Sequence, residues 1–160
     1  MSARLSVWRV DKRVHAASAR SGEGARLVGG RWNSPGLPAI YCGESLPLCT
    51  LEILVHAATP AERADPRVWF EITLPVDQVR RVVPKALPAG WDDPMVYHPA
   101  TVQLGSDWLR SASTIALRVP SAVVPESWNF ILNPQHPQFR RVVRWSPAHP
   151  LVLDRRLLKS

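Results

Sequence analysis

Sixteen prolines are spread through this 160-residue chain rather than gathered into one stretch. Each locks φ and removes a backbone donor, so proline interrupts helices and inner strands. A chain punctuated in this way must build its core from short elements joined by rigid turns. The material for a core is present, since 46% of the residues are hydrophobic and seven are Trp. The length suits one domain and is too short for two comfortable ones, so residues 1–160 are expected to form a single unit.

Hydrophobic patterning places the elements. Residues 5–10 alternate as a short strand, with Arg9 set among apolar neighbours, and residues 39–42 read as a buried strand. Ser45 can cap a helix running to about residue 58, with Pro47 tolerated early in it. Val68, Phe70, Ile72 and Leu74 fall on one side of a strand with period two. Residues 84–99 read as irregular, and residues 106–113 as a short helix capped by Ser106. Residues 115–119, 129–133, 141–145 and 151–153 read as further strands. Helices fall between strands without a regular βαβ rhythm, which predicts an α+β fold.

The formal charge of +7 favours phosphate-bearing or acidic partners. Yet the arginines are scattered, without a Lys/Arg run or an RNA-binding aromatic motif. The pairs Arg140-Arg141 and Arg155-Arg156 read as a solvated basic face. Cys42 and Cys49 match no zinc or redox spacing and are expected to be reduced packing residues. No signal-peptide pattern opens the sequence, and no apolar run approaches the ~20 residues of a membrane span. A soluble, cytoplasmic protein without membrane contact is expected. The phosphate-loop patterns G-x-G-x-x-G and G-x-x-x-x-G-K-[ST], the zinc pattern H-E-x-x-H and the hydrolase pattern G-x-S-x-G are all absent. No metal site is expected.

Several residues invite a functional reading, each beside an ordinary one. On a helix, Glu52 neighbours Leu48, Cys49, Val55 and His56. It either edges the buried stripe and pairs with His56, or points into a cleft where desolvation would raise its pKa. Arg31 follows two glycines, which let backbone approach a ligand, and offers a planar fork for phosphate; it also fits a turn, stacked on Trp32. Tyr41 fits a core strand, Ser121 a turn cap, and Asn129 and Asn133 the flanks of a strand before a Pro-rich turn.

Taken together, GGRWNSPGLPAIYCGES, SLPLCTLEILVH and PSAVVPESWNFILNPQHP resemble the RES domain, named for its Arg, Glu and Ser residues. The resemblance runs from Trp8-Arg9-Val10 to the strand after NPQHP, and residues 82–105 match nothing in it. It implies a fold similar to mono-ADP-ribosyltransferases and a toxin that uses NAD as substrate, with no further cofactor. Such toxins release nicotinamide by hydrolysis or phosphorolysis, or transfer ADP-ribose to a protein. They are neutralised by an Xre-type antitoxin, through which alone they meet DNA. By matching motif, Arg31, Tyr41 and Glu52 are implied as catalytic, and Arg9, Ser121 and Asn133 as substrate-binding; His136 shares the last motif. The roles expected are Arg31, with Arg9, on the pyrophosphate or its ribose, Tyr41 stacked on nicotinamide, Ser121 holding the ribose, and Glu52 opposing positive charge at the ribose. The basic charge leaves two other classes open: a ribonuclease-like toxin and a non-catalytic partner module.

Overall fold

The computed structural model describes residues 2–159. Eight short strands make one sheet: β1 (Arg4–Lys12), β2 (Ile40–Gly43), β3 (Arg67–Pro75), β4 (Val79–Arg81), β5 (Ala116–Pro120), β6 (Trp128–Leu132), β7 (Arg144–Trp145) and β8 (His149–Pro150). Their spatial order is β4-β5-β6-β2-β1-β3-β7, with β8 also on β3, and every pairing is antiparallel except β4 with β5. Helices α1 (Glu23–Val28), α2 (Leu46–His56), α3 (Pro60–Ala64), α4 (Pro99–Ser111) and α5 (Phe139–Val142) lie between them. The architecture is α+β, as the element order predicts.

The longest ladder, β1 with β3, runs from Arg4↔Pro75 to Lys12↔Arg67. Because side chains alternate across a strand, the sheet carries a different core on each face. Val7, Ile40, Cys42, Phe70, Ile72, Leu74, Phe130 and Leu132 pack on one. Trp32, Trp108, Leu109, Leu117, Val119 and Ile131 pack on the other, with Tyr41 against them. Both cysteines are free and buried. Among the described residues, no helix is long and apolar enough to cross a membrane.

Three local expectations need correction. Helix α4 starts at Pro99, and its cap is His98, whose Nδ1 accepts from the Ala100 amide at 3.0 Å. Proline suits a first helical turn, where its missing N–H costs nothing. Ser106 lies inside that helix and is buried; its hydroxyl instead meets the Ser34 amide at 3.0 Å and the Ser34 hydroxyl at 2.7 Å. Of residues 141–145, Arg141 and Val142 end α5 and only Arg144–Trp145 are strand, and residues 151–153 form no strand.

Candidate active site

Helix α2 carries Glu52, and its position follows from two local features. Ser45 caps the helix, its Oγ accepting from the Leu48 amide at 3.2 Å, and Pro47 sits in the first turn. The helix then lies directly on β2: a Cβ at Gly43 would come 2.9 Å from Cys49 Sγ. Only a residue without a side chain permits that approach. The Cys49 thiol faces the Trp8 carbonyl oxygen at 3.2 Å, and Trp8 is the register partner of Gly43.

Gly43 in turn pairs with Asn129 on β6, so the helix is set down beside that asparagine. Asn129 Nδ2 donates to Glu52 Oε1 at 2.9 Å, and Ser121 Oγ donates to the same oxygen at 3.1 Å. His56 Nε2 stands 3.5 Å from Oε2, and the Glu52 side chain is 24% exposed. Ser121 is itself fully buried, and its oxygen accepts from the Val123 and Val124 amides. A carboxylate is thus held by side chains from two other strands or strand ends while one side stays open.

Burial alone would push the Glu52 carboxyl upward. The hydrogen bonds from His56, Asn129 and Ser121 outweigh it, and the pKa lies below the ordinary value. This reverses the expectation of a raised pKa. Glu52 is an ionised, hydrogen-bonded group at neutral pH.

Tyr41 faces the same side of the sheet as Gly43, two residues along β2. Its hydroxyl donates to Asn33 Oδ1 at 2.7 Å and accepts from the Trp32 amide at 3.0 Å. Burial pushes its phenol up, so it stays protonated. The Gly30 backbone runs so close that a Cβ there would lie 2.6 Å from the Tyr41 oxygen. That glycine makes room for tyrosine, not for a ligand.

Arg31 leans toward residues 82–105, the stretch without a recognisable pattern. Its guanidinium donates to the Trp91 and Asp93 carbonyls at 2.6 and 3.1 Å and stands 5.2 Å from the centre of the Tyr97 ring. Trp91 packs near Trp32, ring centres 6.1 Å apart. The unassigned segment therefore packs against Trp32 and Tyr41, fastened by Arg31.

The RES domain family matches residues 6–154. The chain belongs to the RES family. This RES chain is 35% identical to a protein named Toxin Res from Photorhabdus laumondii, across 98% of this chain and 99% of that one. It is 36% identical to a Sphingobium protein named Prs ADP-ribosylating toxin, across 88% and 92% of the two. A shorter match, 51% over 49 residues, joins it to the Mycobacterium tuberculosis protein named NAD(+) phosphorylase MbcT; it spans 28% of this chain and 26% of that protein. The fold is also found in the solved M. tuberculosis MbcT–MbcA toxin–antitoxin complex, with a TM-score of 0.75 at 21% identity, covering 95% of this RES chain and 86% of the other.

The family residues divide into groups. Glu52 and Ser121 meet directly, while Tyr41 and Arg31 lie further along the same face. Arg9 leaves β1 on the other face, that of Val7 and Phe70, and reaches the β2 backbone from there. It donates to the Tyr41 carbonyl at 3.0 Å and pairs with Asp11 at 2.8 Å. Asn133 stands apart from this group. It is 1% exposed, and its carboxamide joins the Leu109 carbonyl and the Gln135 amide. His136 closes the same turn, accepting from the Gln138 amide. Asn129, which the sequence offered only as the flank of a strand, joins the site. Its alternation with Phe130 and Ile131 gave the only available signal, a polar side chain on an otherwise apolar strand face.

Proposed function

We propose that this RES chain is the toxin of a bacterial toxin–antitoxin pair and cleaves the nicotinamide–ribose bond of NAD. The observation that carries this reading is the ionised Glu52, fixed by Ser121 and Asn129 with its side chain still partly open to solvent. Nicotinamide leaves NAD as a neutral base from a cationic centre, so its departure needs no proton donor, unlike an ordinary glycoside. What the reaction requires is orientation and a negative charge facing the oxocarbenium-like ribose. One strategic carboxylate supplies that charge, and its depressed pKa keeps it available.

The remaining side chains suit supporting roles. Tyr41 is no base, because its phenol is neutral and both hydrogen-bonding sides are in use; its ring serves as a wall for nicotinamide. Arg31 keeps further donors beyond the two given to the carbonyls. With Arg9 it supplies positive charge for the pyrophosphate. The acceptor is water or inorganic phosphate. The relative named as an ADP-ribosylating toxin supports a second reading, in which a protein side chain takes the ADP-ribose. NAD is substrate here and no other cofactor is invoked. The partner is an Xre-type antitoxin that covers the cleft, and the place of action is the cytoplasm, where NAD is met.

The test is a mass-spectrometric product assay on purified chain and NAD, with and without phosphate. ADP-ribose would mark hydrolysis and ADP-ribose phosphate phosphorolysis. ADP-ribose appearing only on added cell protein would favour the second reading. Intact NAD in every arm would sink both.

A further inference from the structure

A cavity of about 680 Å³, lined by none of Glu52, Ser121, Asn129, Tyr41 or Arg31, lies between helix α1 and the Phe139, Val143 and Trp145 side of the first core. Arg20, Arg26 and Arg140 line it together with Phe139, Trp145 and Gln135. Trp145 pairs with Ile72 in the sheet and so shares the face of the first core, away from Tyr41 and Asn129. Arg26 is held by Glu23, which also borders the cavity. Arg20 and Arg140 make no ion pair among the described residues. The Arg20 guanidinium stands 5.2 Å from the centre of the Trp145 ring. Gln135 belongs to the Asn-Pro-Gln-His-Pro turn, which the Glu52 cluster does not use; buried Asn133 fixes that turn by accepting from the Gln135 amide.

We propose that this cavity binds a small phosphate-bearing ligand of nucleotide size, at a site separate from the candidate active site. Three guanidinium groups against one carboxylate leave an excess of positive charge around the cavity. Guanidinium forks match phosphate oxygens in pairs. Arg20 and Arg140, unpaired, take the phosphate, while the partly buried Trp145 supplies the apolar surface that a base or sugar covers. The volume falls in the ~300–1,000 Å³ range of small-molecule sites. The role of the turn is then to hold one wall of this cavity, which accounts for a motif without contact to Glu52.

The experiment titrates isotopically labelled full-length chain with ADP and follows the Trp145 indole N–H resonance, assigned by its loss in Trp145→Phe. A saturable shift is expected, with pyrophosphate giving a weaker one if the base adds to binding and an equal one if phosphate alone is recognised. The exposed pair Arg20→Ala and Arg140→Ala, combined, should weaken ADP binding about tenfold or more. NAD turnover of that variant should stay within about twofold of the parent. The proposal is overturned if ADP leaves the resonance unmoved, or if the shift survives the double substitution unchanged. It is equally overturned if only an acidic peptide moves the resonance, which would make the cavity a protein-docking surface. Turnover is read separately, so the NAD reading stands or falls by its own assay.

Discussion

Glu52 shows how far one side chain depends on its partners. Its neighbours along α2 suggest a half-buried carboxylate, and burial by itself would favour the neutral acid. The donors that reverse this are His56, one turn further along the same helix, and Asn129 and Ser121, 77 and 69 positions away in sequence. Because the folded pKa is depressed, ionised Glu52 contributes stability above its unfolded pKa, and that contribution is lost as pH falls through the lower folded value. The acid limb of NAD turnover should therefore fall below the ordinary carboxylate range. In Asn129→Ala one of the donors lowering the pKa is gone, so the limb should move upward in a kcat/KM-against-pH profile. A lower midpoint of unfolding with an unmoved limb would make Asn129 merely structural. Glu52→Gln keeps the shape and removes the charge. It should cost on the order of 100-fold in turnover. Its stability should drop by only about 1 kcal/mol, since the fold favours the ionised form. Thermal melting and turnover on one preparation check both figures, and wild-type turnover would strip Glu52 of its proposed role.

Helix α2 converts a local pattern into a placed carboxylate. Its cap and early proline are legible in sequence, and Ser45→Ala should cost about 1 kcal/mol in denaturant unfolding. Its seat on the sheet is less visible, because nothing along the chain says that Gly43 faces Cys49. Gly43→Ala should lift the helix, costing about 1–3 kcal/mol through overpacking. Turnover should fall as well, because Glu52 moves off Asn129. Adding Cys49→Ala removes the obstructing sulfur and should restore much of both, a coupling measurable in a double-mutant cycle. Simple additivity of the two losses would mean that the contact does not set the helix. Helix α4 shows the opposite outcome: Ser106 had the composition of a cap, yet a tertiary contact with Ser34 claims its hydroxyl, and His98 with Pro99 starts the helix earlier.

Across the whole molecule, the sheet separates two environments, and the cysteines report on it. Cys42 points into the first core, while Cys49 is pressed between α2 and β1; burial raises both thiols, Cys49 to about 11. Neither should react readily with an aromatic disulfide reagent until the chain unfolds, and rapid native labelling of either would contradict the packing described. The sequence by itself determined the α+β class, the strands at 5–10 and 68–74, the capped second helix and the RES resemblance. Those features rest on period-two alternation, local capping chemistry and short motifs, all of which act between near neighbours. Only the tertiary structure decided that Asn129 joins Glu52, that Asn133 is buried, and that Arg31 fastens residues 82–105. The ionisation of Glu52 was legible only in part, because a carboxylate's charge state reflects the donors around it in space: the pairing with His56 lies within the helix, while Asn129 and Ser121 come from far away along the chain.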